Sequence, residues 1–213
     1  MCVRAYDKAG TAPSDVNRYP DFTAASPKFY KDKRGKFYIA ADWVNSFTDE
    51  EKYIPDGIIG KFRKKAGERD KLILEQALAD GDCTAVLAQD PGSAGKDEFE
   101  LAASYLIQEG VTVKKDPAPN NAGKLKKFEP FASACENGLV HIVESSFPNK
   151  KSLEAWYREH EMFDGERSSS TRKDDWPDGS ASAFNQISTE RVYKTPTVPK
   201  TQHDTLAKPV LES

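Results

Sequence analysis

A chain of 213 residues is long enough to bury a sizeable core. With 31% charged residues and a formal net charge of −3, its overall field cannot hold nucleic acid, so such a ligand would need local basic patches. Cys2, Cys83 and Cys135 form an odd set with no CxxC spacing, which argues against a disulfide framework or a zinc site and fits a reducing compartment. No apolar run approaches the roughly 18 residues of a membrane span, and the first residues lack the apolar core of a signal peptide.

Strand-like sequence begins at once, in Met1-Cys2-Val3-Arg4-Ala5-Tyr6-Asp7. So little slack before a core strand is expected of the C-terminal portion of a longer protein, with Met1 added at its start. A loop rich in small and polar residues runs to Pro20. Residues 22–30 and 35–44 read as strands joined by the charged turn Lys31-Asp32-Lys33-Arg34-Gly35. The period then changes. Apolar residues recur at helical spacing over 55–79, with a break near Gly67, and 84–89 ("TAVLAQ") is a short apolar run typical of a buried parallel strand. A helix over 97–109 stops at Gly110, and 111–115 is a strand. A helix over 125–136 ends at Asn137-Gly138, 139–143 is a strand, and 150–160 and 177–187 are helices. Three meandering strands, then alternating helices and strands, predict an α/β fold. Its mixed sheet is antiparallel first and parallel later, with helices on both faces. The domain is expected to span 1–194. The Thr-, Pro- and Lys-rich residues 195–213 read as a flexible tail.

Asp7 closes the first strand and Asp90 the "TAVLAQD" strand, where ligand sites of open α/β sheets gather. Were those strands neighbours, the two carboxylates would repel unless a cation neutralised them. A single acid after a strand is more often a turn or cap residue, so the case rests on a set. Its third part is Lys173-Asp174-Asp175-Trp176-Pro177-Asp178-Gly179-Ser180-Ala181-Ser182-Ala183-Phe184. Pro177 suits a helix's first turn, and one acid would cap it. Three acids before a run of small residues instead read as carboxylates aimed at a shared point by close helix-on-sheet packing. Oxygen-only donors favour Mg2+ or Mn2+. His141, inside "LVHIV", reads as a packed histidine.

The segment Asp90-Pro91-Gly92-Ser93-Ala94-Gly95-Lys96 follows a strand and ends in Gly-Lys, but its spacing is not that of a nucleotide-binding phosphate loop. It reads as a glycine turn that exposes Asp90 and brings Lys96 toward a phosphate. Basic residues gather at the early hairpin (Lys33 and Arg34 among them), at Lys61, Arg63, Lys64 and Lys65, and at Lys115, Lys124, Lys126 and Lys127. Such runs are usually solvated faces. The third is the best placed for DNA phosphates, because its strand should emerge beside the Asp90 strand.

In order, "VRAYDKAG", "GKFYIAADWV", "VLAQDPGSAGKDEF", "GKLKKFEPFASACENGLVHIV" and "KDDWPDGSASAFNQI" resemble the C-terminal nuclease domain of tailed-bacteriophage large terminase subunits. The resemblance covers about residues 1–188. It implies a ribonuclease H-like domain that cuts concatemeric viral double-stranded DNA during genome packaging, in the cytoplasm of the infected bacterial host. It implies two Mg2+ or Mn2+ ions, with Asp7 touching both, Asp90 as second acid, and Asp174, Asp175 and Asp178 supplying the third, Asp178 and Asp175 first among them. In such proteins an N-terminal ATPase domain, the portal and the small terminase subunit are the partners, and this chain carries no ATPase motif of its own. A junction resolvase, a transposase core or a non-enzymatic DNA-binding or docking module are the alternatives. A nuclease domain alone is expected to be a monomer.

Overall fold

The structure, a computed structural model, describes residues 1–18, 20–49, 57–90, 92–117, 123–166 and 173–189. Its sheet is organised around β1 (Cys2–Asp7), whose interior residues are all buried. On one side β1 pairs antiparallel with β2 (Thr23–Ala25) and β3 (Lys28–Lys31). These are the two halves of the single strand expected over 22–30. Tyr6 faces Ala25 but Val3 faces Phe29, so three steps along β1 match four along its partner. The extra residue lies at Ser26-Pro27, where proline has no N–H to give the ladder, and the result is a β-bulge. Ser26 closes the gap: its N–H donates to the Ala5 carbonyl (2.8 Å) and its Oγ accepts from the Ala5 N–H (3.0 Å).

β4 (Phe37–Ala40) extends the sheet antiparallel to β3, and β5 (Lys61–Phe62) is antiparallel to β2. On the other side of β1, β6 (Thr84–Leu87) is parallel to it and β7 (Val113–Lys115) parallel to β6. β8 (Val140–Val143) closes the far edge, parallel to β4. The mixed sheet is thus antiparallel in its first strands and parallel in its later ones, as the sequence predicts.

Alternation along β1 divides the molecule into two faces. Arg4 and Tyr6 turn toward α1 (Ala66–Ala79) and α2 (Ser93–Gln108). The opposite face carries α5 (Asp175–Thr189), backed by α3 (Lys124–Glu136) and α4 (Lys150–Glu161). α5 lies close to the sheet because Gly179, Ser180, Ala181 and Ala183 are small; a Cβ on Gly179 would already touch Ser26 at 3.5 Å. Phe131 of α3 packs edge-on against Phe29 and meets Phe184, with ring centres 5.6 Å apart in both pairs.

Two expectations are corrected. The helix over 55–79 begins only at Ala66; within the described part of the preceding residues, Ile59 bridges to Thr48 and Lys61–Phe62 is strand. The interruption lies at Gly60, ahead of the helix, and not near Gly67, which is within α1: Gly60 has φ at +114° and the Trp43 ring 2.8 Å from where a side chain would start. Lys61 and Arg63 are accordingly buried and do not form a solvated basic face. Second, Cys2 and Cys83 form a disulfide. They precede Val3 and Thr84, which are paired in register, so parallel strand pairing sets the two thiols side by side. Spacing along the chain carries no trace of that. The expected tail, 195–213, lies outside the described residues.

Candidate functional site

Because β1, β6 and β7 are parallel, their C-terminal ends open on one edge of the sheet. Tyr6 is level with Leu87 and Leu87 with Lys115, so Asp7, the turn bearing Asp90, and Asp116 follow at that edge. Asp90 is exposed on a turn tight enough that a Cβ on Gly95 would fall 2.3 Å from the Asp90 carbonyl oxygen. Glycine is therefore obligatory there, and the turn presents Asp90 as expected. Lys96 is exposed beyond it; the cations that line the cleft beside Asp90 are Lys8 and Arg69.

Asp7 is the wall between two clefts. One, of about 310 Å³, is bounded by Asp7, Asp90, Arg69, Lys8 and Glu98. The other, of about 520 Å³, is bounded by Asp7, Asp174, Asp175, Asp178 and Lys124. The acids of α5 thus converge on Asp7 from one side while Asp90 faces it from the other. α5 starts at Asp175, so Pro177 lies in its first turn, where its missing N–H costs nothing.

The start of α5 is held from below. The Trp176 N–H donates to Glu159 Oε2 (3.3 Å) and its indole N–H to the Gly60 carbonyl (3.3 Å). Glu159 pairs with buried Lys61, whose ammonium sits 4.3 Å from the Trp176 ring centre. Next to Glu159 on α4, His160 is bonded to Ser180 of α5 (3.0 Å) and to the Trp156 carbonyl (2.8 Å), and burial drops its pKa to about 4. His141 is a packed strand residue, stacked on Tyr38 at 5.2 Å.

The electrostatics set these acids apart. Loss of solvent, then the nearby Asp178 and Asp175, push Asp7 well above the usual carboxylate range against the pull of Lys127 and Lys124. Burial lifts Asp175 to about 7, opposed by Lys61 and reinforced by Glu159. Burial also raises Asp178, despite its bond to Lys124. Lys124 Nζ lies 2.6 Å from Asp174 and 2.8 Å from Asp178. Next along α3, Lys127 pairs with Asp116 (2.9 Å), which also accepts from the Ser182 hydroxyl (2.6 Å).

Asp116 is a member of this edge that the sequence reading missed. The signal was present: it follows a predicted strand, as Asp7 and Asp90 do. Arg69, Lys8 and Glu159 were also missed, and only tertiary folding brings them here. The basic residues separate. Lys115, Lys124, Lys126 and Lys127 belong to elements at the Asp7 edge or beside it, as expected. Lys33 and Arg34 do not: β3 runs antiparallel to β1 past Cys2, so their hairpin tip lies at the opposite end of the sheet. A hairpin's position along its neighbour is a matter of register, which composition does not reveal.

Hard oxygen donors, no sulfur or imidazole among them, suit Mg2+ or Mn2+. Two observations fit such a cation: Asp175 Oδ2 is buried with no hydrogen-bond partner among the described residues, and burial, with neighbouring acids adding to it, raises Asp7, Asp175 and Asp178 together. As the side chains stand, no group of three carboxylate, imidazole or thiol ligands is arranged to hold a metal among the described residues, and Lys124 spans two of the acids. Among the described residues, no helix is long and apolar enough to cross a membrane.

The family described as the terminase RNaseH-like domain matches residues 76–186, a little over half of the chain. The match includes Asp90, Asp116, Lys124 and all three acids at the start of α5, with Asp7 lying ahead of it. No curated protein and no solved structure matches the chain. With the acids of its parallel strands meeting those of its last helix at one sheet edge, the chain belongs to the terminase RNaseH-like domain family.

Proposed function

We propose that this domain is a divalent-metal-dependent endonuclease that cuts concatemeric viral double-stranded DNA during genome packaging. The observation that carries the reading is the position of Asp7, shared by the Asp90 cleft and the Asp174, Asp175 and Asp178 cleft. Asp7 would hold both ions, Asp90 one of them, and Asp175 and Asp178 the other, with Asp174 beside them. Bound there, Mg2+ or Mn2+ supplies a nucleophilic water at neutral pH and stabilises the departing 3′ oxygen.

The protein's own part is positional. The Glu159 and Gly60 bonds to Trp176 fix the helix start that carries the acids. The glycine turn fixes Asp90. Lys115, Lys126 and Lys127 at this edge, with exposed Lys96 beyond the turn, would meet backbone phosphates, which favours weak sequence preference. In the infected bacterial cytoplasm the partners would be DNA, an ATPase motor domain, the portal and the small terminase subunit.

Incubation of this domain with supercoiled plasmid tests the reading. Nicking and linearisation are expected with Mn2+ or Mg2+, none with EDTA, and none in Asp7→Ala or Asp90→Ala. Absence of cleavage at every metal concentration overturns it. Cleavage confined to four-way junctions favours a resolvase instead.

A further inference from the structure

We propose that Lys124 is the built-in competitor of the divalent cation: its ammonium and the metal contend for Asp174 and Asp178, so that metal entry and lysine release are one exchange. The inference rests on the metal-dependent reading above and adds to it a cation that the protein itself supplies.

The geometry is that of a cation between two ligands. Lys124 Nζ is 2.6 Å from Asp174 Oδ2 and 2.8 Å from Asp178 Oδ2. An ordinary helix-to-helix ion pair needs one acid, and an exposed pair adds little stability. Here two carboxylates four residues apart on the chain close on one ammonium. Burial works against the charge of Lys124, but those two acids outweigh it and hold the lysine above its usual range.

The pairing is also incomplete. Asp175 Oδ2, buried in a residue that lines the same cleft, has no partner among the described residues. Lys127, about one turn further along α3, is engaged by Asp116. Lys127 and Lys61 also pull on these acids, but each is paired elsewhere, with Asp116 and Glu159, so Lys124 is the cation that bridges Asp174 and Asp178 directly, in a group of four acids that a divalent ion would neutralise further.

The exchange is physically easy on one side only. The Lys124 side chain is 40% exposed, whereas those of Asp174 and Asp178 are 8% and 15% exposed. Asp178 is fixed in α5 and Asp174 is tied to its start by the bond from the Asp178 N–H to the Asp174 carbonyl (3.0 Å), while the lysine has a flexible stem and a path to water. Rehydrated at the cleft mouth, it offsets part of its own loss of contact.

Mn2+ binding without DNA, by calorimetry or by electron paramagnetic resonance of the free ion, tests this. Lys124→Met keeps the stem and removes the charge, and should tighten Mn2+ binding roughly ten-fold. Lys124→Arg keeps a cation there. Lys126→Met removes the same charge from the exposed side of the same helix. Both should stay within about two-fold of the parent, since a distant or retained charge changes little.

In chelator, Lys124→Met should melt earlier than the parent, and Mn2+ should raise its midpoint by more. Mn2+ binding to Lys124→Met no tighter than to Lys126→Met overturns the exchange, even if the parent cuts DNA with Mn2+. If neither parent nor variants bind Mn2+, the metal-dependent reading falls, and the exchange with it.

Discussion

β1 carries two charged residues three positions apart, Arg4 buried and Asp7 half-buried, and the sheet sends them to opposite faces. Arg4, facing α1, is fully enclosed. It donates to both oxygens of Asp80 (2.5 and 2.9 Å) and to the carbonyls of Ser26 (2.7 Å) and Ala41 (2.8 Å), while Gln76 adds a bond to Asp80. The Tyr6 hydroxyl beside them has no partner among the described residues, but burial holds it far above the usual phenol range, so it stays neutral. Asp7, facing α5, has no such closure: Asp178 and Asp175 press on it as Lys127 and Lys124 pull, and Asp175 Oδ2 nearby has no partner among the described residues. The first arrangement spends its polar groups on the fold. The second leaves charge uncompensated at an opening, which costs stability and is useful only if something arrives to neutralise it.

The largest effect expected from breaking this contrast is at Arg4. Arg4→Met strands Asp80 in the interior and should cost about 3–5 kcal/mol in denaturant unfolding, the range for a broken buried pair. Below its lowered melting temperature the variant should still cut DNA. Asp7→Asn should do the reverse. Cleavage should fall by about 10²–10³-fold, the scale for losing one preorganised electrostatic group, while the midpoint in chelator rises because a repelled carboxylate is gone. A drop in stability at Asp7→Asn would show that the second cluster is structural after all.

Asp175→Asn sharpens the comparison through pH. The folded pKa of about 7 lies above the ordinary 3.8, so the folded state holds the proton more tightly. That contribution is complete below about pH 4 and is lost as pH rises toward 7. The parent's melting temperature in chelator should therefore fall over that window, and the asparagine variant's should fall less. The smallest effect is at His160, whose folded pKa of about 4 lies below the ordinary 6.5. Here stability is present above about pH 6.5 and lost as pH falls toward 4. His160→Gln should flatten that acid limb in a thermal melt followed by circular dichroism.

Much of this was legible in the sequence because it is local. The alternation of Cys2–Asp7, the apolar run before Asp90 and the small residues after Pro177 state their elements and their burial directly. The order of the elements then implies a mixed sheet, and parallel strands imply acids at one edge. What was not legible depends on pairing. The bulge at Ser26-Pro27 shows only in register, and the same is true of the Cys2–Cys83 bond and of the hairpin tip that carries Lys33 and Arg34 away from the site. Residues around Ile58–Phe62 mimic helical spacing because their apolar side chains pack into several neighbours, not onto one helix face. Asp116 follows a predicted strand as Asp7 and Asp90 do, so the same rule reaches it. That Lys124 and Lys127 turn toward acids follows from how α3 lies on α5, which no window of sequence contains.

The proximity of Arg4 to Asp7 bears on which changes of length the chain can survive. In a strand, a shift of one residue turns every side chain to the other face. Deleting or inserting a residue between them would reverse one against the other, placing a carboxylate beneath α1 or a guanidinium among the acids of α5. Ser26, bonded to Ala5 through both backbone and side chain, holds that frame between the two. β1 should thus behave as a ruler: substitutions at its surface-facing ends are survivable one at a time, whereas a single codon gained or lost within Arg4-Ala5-Tyr6-Asp7 removes the fold and the site together.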